Sequence, residues 1–166
     1  MRIELKKLKV VAALSEETTC YTAEIWIDGA RAFLASNRGH GAADDFHQVG
    51  ALTEREVDAW LAVNRPAREF HGTTLQQTLE FEVAAMIGRI EETKRLRRSF
   101  RRQLIVIDDG QVYGYPLKGH TPAAVAEAVR KHRPNLRVVN DDEQAIEDAV
   151  DLMIAQADQD PSCRST

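Results

Sequence analysis

The stretch YTAEIWIDGARAFLAS leaves its backbone few choices. From Tyr21 to Ile27 the side chains alternate, which is the period of a strand with one buried face. Asp28-Gly29 then supplies a residue pair that tolerates the positive φ angles of a two-residue hairpin turn, and the chain returns along 31–36. Ile3-Glu4-Leu5-Lys6 opens a similar alternation that reaches about Val11. These signals predict an N-terminal three-stranded antiparallel meander.

Helical signals follow. Thr53 and Glu56 have the spacing of a reciprocal capping box, and Val57, Trp60 and Leu61 recur behind them until Arg65-Pro66 stops the run. A longer helix is expected from about residue 74, with Leu75, Leu79, Val83, Met86, Ile87 and Ile90 on one face, ending before Gln103. Leu104-Ile105-Val106-Ile107 reads as a short buried strand, and Asp109-Gly110 turns it into a second hairpin through Val112 to Tyr115. Thr121-Pro122 caps and starts a third helix, with Arg130, Lys131 and His132 at its end. Residues 136–139 suit another strand. Asp141, Asp142 and Glu143 stand where carboxylates stabilise the start of a last helix carrying Ala145, Ile146, Ala149, Val150, Leu152 and Met153. The expected class is α+β: meander, central helices, second β-hairpin and C-terminal helices. A single domain over 1–158 is expected, with a frayed polar tail at 159–166.

Composition excludes several classes. With 166 residues, 43% hydrophobic and 29% charged, the chain can bury a core and is not of the disordered type. Its longest apolar runs are too short to span a bilayer, and the alternating N-terminus does not resemble a secretory leader. Cys20 and Cys163 lie far apart, without a disulfide framework, so a reducing cytoplasm is expected, and no membrane. The net charge of −4 argues against wholesale nucleic-acid binding, but it is unevenly spread. Lys94, Arg95, Arg97, Arg98, Arg101 and Arg102 form one basic block, whereas 141–160 carries eight carboxylates and no lysine or arginine. The two blocks can serve two partners or face each other.

The most unusual segment is SNRGHGAADDFH, residues 36–47. An up–down–up meander brings the loop at 15–19 to the same end as the segment leaving the third strand. Glu16, Glu17, Cys20, His40, Asp44, Asp45 and His47 are thereby expected to converge. Three chemistries suit them. His40, Asp44 and His47 are candidate ligands for a divalent metal such as zinc, manganese or iron. Glu16, Glu17 and His40 are candidate catalytic groups, a histidine beside a carboxylate acting as an oriented base. The backbone N–H groups around Gly39 and Gly41, with Asn37 and Arg38, can cradle an anion. Against these stands a structural reading: Gly-His-Gly as a tight exit needing positive φ, Asp44 and Asp45 capping a helical turn, and His47 packing beside Phe46. The spacing His-x3-Asp-x2-His belongs to no strong metal signature.

Elsewhere the signals are weaker. The basic block, with Lys94, Arg97, Arg98, Arg101 and Arg102 as binding candidates, suits a phosphate backbone, and Phe100 could stack on a base. Its structural reading is a solvated helix face neutralised by Glu91, Glu92 or the acidic last helix. Trp26 and Trp60 read as core or sheet-face residues, and His71 and His132 as surface positions.

The run S-E-E-T-x-C-Y-x-A-x-I-W-I-D-G, followed by A-S-N-x-G-H-G and D-x-F-H, resembles small uncharacterised proteins of bacteriophages and prophages. The matching residues are Ser15, Glu16, Glu17, Thr18, Cys20, Asp28, Gly29, Ser36, Asn37, Gly39, His40, Gly41 and His47, within about the first fifty positions. Ala42 stands where the pattern has a further glycine. The resemblance implies a mobile-element, accessory origin and no mechanism. Three functions are then expected in order. The first is a non-enzymatic phage-type accessory protein in the host cytoplasm, binding a host protein or protein complex, with counter-defence as one role. The second is a metal-dependent hydrolase, a phosphoesterase or nuclease, built on Glu16, Glu17 and the 40–47 cluster. The third is a nucleic-acid binder using 94–102.

Overall fold

The structure, a computed structural model, describes residues 1–70 and 72–159. His71, Cys163 and the part of the expected tail beyond Gln159 lie outside the described residues. The fold is α+β, and the chain forms two compact units, Met1–Met86 and Ile87–Thr166.

In the first unit β1 (Ile3–Val10), β2 (Tyr21–Ile27), β3 (Ala30–Asn37) and β4 (Asp45–Gln48) form one antiparallel sheet in sequence order. The β2–β3 turn has Asp28 at φ +50° and Gly29 at +83°, the left-handed pair that the Asp-Gly signal implies. Alternation sorts the faces: Ala23, Ile25, Ile27, Phe33 and Ala35 are buried. Lys6, Glu24 and Leu34 lie directly across from one another on the opposite face, in a row that His47 extends. β4 was not expected. Its four residues are mostly exposed and polar, so they carry little periodic signal, and pairing with β3 takes the place of the helical turn read at Asp44 and Asp45.

Helix α1 (Glu54–Asn64) starts at the expected capping box: Glu56 N donates to Thr53 Oγ1 at 3.3 Å, and Thr53 N donates to Glu56 Oε2 at 2.8 Å. A second small hairpin, β5 (Arg68–Phe70) with β6 (Thr73–Leu75), precedes α2 (Leu79–Ser99). The expected helical start near residue 74 therefore moves to Leu79. The β-branched pair Thr73-Thr74 favours the strand. The helix begins where Phe81 N meets Thr78 Oγ1 at 3.4 Å and Leu79 N meets the Asp58 carboxylate, contributed by α1, at 2.7 Å. Val57, Leu61, Leu79 and Val83 of the helices are also buried in this unit, as are Ile3, Tyr21 and Ala32 of the sheet. The boundary between the units falls within α2.

The second unit contains β7 (Gln103–Asp108), β8 (Gln111–Pro116), α3 (Pro122–Arg130), β9 (Arg137–Val138) and α4 (Glu143–Gln159), with β7 central in an antiparallel sheet. Both faces of β7 are covered, which explains its uninterrupted apolar run. Leu104 and Val106 belong to a cluster with Ala126 of α3, and Ile105 to a cluster with Leu96 of α2 and Ala145, Ile146, Ala149 and Val150 of α4. Among the described residues no helix is long and apolar enough to cross a membrane.

Candidate functional site

The polar rim of the first sheet is built around Asn37, the last residue of β3, which is buried. Its Oδ1 accepts from Thr18 Oγ1 at 2.8 Å and from Gly39 N at 2.7 Å. Its Nδ2 donates to the Ala42 carbonyl at 2.9 Å and to Asp44 Oδ1 at 2.8 Å. The second oxygen of Asp44 accepts from Tyr21 OH at 2.5 Å, and Asp44 N donates to Glu80 Oε1 at 3.2 Å. Burial first, then the Asp44 carboxylate as acceptor and neighbouring charge, push the Tyr21 phenol pKa well up, so this hydroxyl stays a donor.

The loop between β1 and β2 is stitched to the same rim. The Gly39 carbonyl accepts from the backbone N–H groups of Glu16 and Glu17, each at 3.0 Å, and of Thr18 at 3.3 Å. Gly39 sits at φ +88°, and a Cβ there would lie 2.0 Å from the Leu14 carbonyl oxygen, so both conformation and space require glycine.

The up–down–up tracing thus brings Glu16, Glu17, Asn37, Gly39, His40, Gly41 and Asp44 to one end of the sheet. What they can do is narrower than the sequence implied. His40 Nδ1 lies 3.3 Å from Glu16 Oε2, but these side chains are 60% and 69% exposed, so water screens the pair and nothing excludes solvent from it. The expected anion cradle is already engaged: Gly39 N donates to Asn37 and Gly41 N to Thr18 Oγ1 at 3.3 Å. The guanidinium of Arg38 is exposed and has no ion-pair partner among the described residues. Asp44 is held by Asn37 and Tyr21. His47 projects from β4 opposite Leu34, apart from the Asn37 network, while the ring of its neighbour Phe46 meets Phe33 edge-on at 6.4 Å. Among the described residues no three His, Cys, Asp or Glu side chains form a group able to hold a metal, so His40, Asp44 and His47 do not come together as ligands. Their strand register separates them, because Asp44 turns into the rim while His47 follows the outer face.

Sequence reasoning missed a second polar cluster. Glu24, 8% exposed, accepts from Lys7 Nζ at 2.9 Å, Trp26 Nε1 at 3.1 Å and Arg31 at 3.3 Å, while Lys6 Nζ lies 3.8 Å over the Trp26 ring. These bonds, that from Lys7 foremost, hold the Glu24 carboxyl down at about 2. A carboxylate between Ala23 and Ile25 in an alternating strand was the available signal. Lys7 sits at a β1 irregularity with φ +53°, which pattern alone does not show.

In the second unit the basic block divides. Lys94 pairs with Glu91 at 2.8 Å, Arg95 with Glu92 at 2.6 Å, and Arg97 with Glu143 of α4. Arg89 pairs with Asp151, and Arg137 with Asp142 and Asp148. Half of the block is thus neutralised within its own unit. Arg98, Arg101 and Arg102 are exposed and have no ion-pair partner among the described residues. Phe100, considered for base stacking, packs instead against the cluster of Leu96, Ile105 and Ala149.

Compared with models of known protein families, with curated proteins and with solved structures, the chain matches none.

Proposed function

We propose that this chain is a non-enzymatic accessory protein, of the phage type its N-terminal pattern resembles, that binds a macromolecule of the host cell cytoplasm. Interference with host defence is one role such binding would serve. The observation that carries the reading is the contrast between two sets of polar groups. In the Asn37 rim, amide, carboxylate and glycine N–H groups are committed to one another, as a scaffold requires. Among the described residues no buried side-chain polar atom is left without a partner to point at a ligand. Arg98, Arg101 and Arg102, by contrast, are exposed and have no ion-pair partner among the described residues, although Arg98 Nε donates to the Lys94 carbonyl at 3.2 Å. Committed groups hold shape, and guanidinium groups without a carboxylate partner keep their charge available to a partner.

Affinity capture from a bacterial lysate tests the reading, with wild type compared with the R98E/R101E/R102E variant. A partner retained by wild type and lost by the folded variant is expected. Equal capture by both removes this surface. Added zinc or manganese should leave the melting temperature unchanged; a rise that H40A abolishes would overturn the non-enzymatic reading in favour of a metal-dependent hydrolase.

A further inference from the structure

One corner of the second unit carries four exposed cations. Arg98 lies in the last turn of α2, and Arg101 and Arg102 follow in the turn that enters β7, where Arg102 N donates to the Ser99 carbonyl at 2.9 Å. The Arg102 carbonyl in turn accepts from Leu117 N at 2.9 Å, which brings the backbone of exposed Lys118, two residues after β8, beside the same turn. None of the four cations has an ion-pair partner among the described residues, whereas their neighbours Lys94, Arg95 and Arg97 all do. Compensation of the α2 dipole explains a cation in the last helical turn, but not Lys118, which belongs to another element.

Three observations say what such a corner meets. Val11, Leu14, Leu34, Val49 and Val63, the exposed large hydrophobics among the described residues, all lie in the first unit. The corner therefore lacks the apolar anchors from which protein interfaces draw most of their energy. Single strands are held by stacking bases on exposed rings. Phe100, partly buried, packs against one core cluster and Tyr113 and Tyr115 against the other, so among the described residues no fully exposed ring stands beside the arginines. Finally, the whole excess of carboxylates behind the net charge of −4 lies before Ile87, and the second unit has equal numbers of basic and acidic residues. A polyanion approaching the second unit meets no net repulsion from it.

We infer that Arg98, Arg101, Arg102 and Lys118 form a seat for the phosphodiester backbone of a nucleic-acid duplex, an inference that rests on the reading of the chain as a binding protein. A duplex keeps its bases stacked on one another and lines its outside with phosphates, which is what four guanidinium and ammonium groups with no fully exposed ring beside them can engage. Contact is with phosphates and independent of base sequence.

Fluorescence anisotropy of the full chain with a labelled DNA duplex of arbitrary sequence, and with an RNA duplex of the same sequence, tests this. Binding of at least one duplex is expected, with log K against log salt sloping at about −3 to −4 for four phosphates. Whichever duplex binds more tightly identifies the source. R98Q/R101Q/R102Q should weaken binding at least 100-fold and flatten the slope. K118Q alone should reduce the slope by about 1. R95Q, which removes a cation already paired with Glu92, should change affinity less than about two-fold. Should the triple variant not fold, R101Q and K118Q measured singly carry the same slope test. Failure of wild type to bind either duplex at low salt, or unchanged binding by the folded variants, overturns the inference. Should neither duplex bind while lysate capture still depends on the arginines, the duplex seat falls and the binding-protein reading stands. Should a duplex bind through the arginines while lysate capture ignores them, the seat stands and the host partner docks elsewhere.

Discussion

The side-chain amide of Asn37 donates to Asp44 Oδ1 at 2.8 Å, and this bond closes the loop that leaves β3 onto the start of β4. The same residue accepts from Thr18 and Gly39, so one buried amide ties three segments together. Replacing it by alanine strands several donors and acceptors at once. N37A is expected to lose about 2–3 kcal/mol, the usual cost of unsatisfied buried polar groups. N37D should lose more, because a second carboxylate would face Asp44 and the Ala42 carbonyl. Urea denaturation measures both, and an N37D variant as stable as wild type would refute the network's role.

Gly39 and Gly41 share positive φ, at +88° and +80°, but differ in surroundings. A Cβ on Gly39 meets the Leu14 backbone at 2.0 Å; one on Gly41 meets the Glu17 carboxylate, a flexible side-chain end, at 2.1 Å. G41A should therefore cost little beyond the about 1–2 kcal/mol of left-handed backbone strain. G39A should cost clearly more, since backbone has to move. Reversal of that order in thermal denaturation would contradict the stitched rim.

Glu24 predicts an acid limb of stability. Its folded pKa of about 2 lies below the ordinary 4.5, so its contribution is complete above about 4.5 and is lost as pH falls toward 2. The wild-type melting temperature should decline across that window, and E24Q should decline less steeply. Parallel profiles would remove Glu24 as the source.

At the start of α1, Thr53→Ala should destabilise by about 1 kcal/mol, the typical cost of losing a cap. T53A and E56A together should cost less than the sum of the singles, because each removes the same reciprocal box. Strict additivity in a double-mutant cycle would argue against it.

Much of the fold is legible because it is local. Asp28-Gly29 and Asp109-Gly110 adopt left-handed pairs since few other residues tolerate them, and Thr53-x-x-Glu56 closes its box within one turn. Leu104 to Ile107 announces burial on both faces through apolar content alone. β4 was not legible, because four mostly exposed residues become a strand only when β3 lies beside them. Neither was the start of α2, where Asp58 from another helix receives the first N–H.

For the candidate site, sequence alone determined that the 15–19 loop and the segment leaving β3 share one end of the sheet, since an antiparallel meander must return its loops to one end. Tertiary structure decided their roles. It turned Asp44 inward to Asn37 and Tyr21, left His47 on the outer face, engaged Arg97 with Glu143 and left Arg98, Arg101 and Arg102 unmatched. Strand order follows from short-range backbone preference, whereas a side chain's partner is set by groups that folding brings from distant positions.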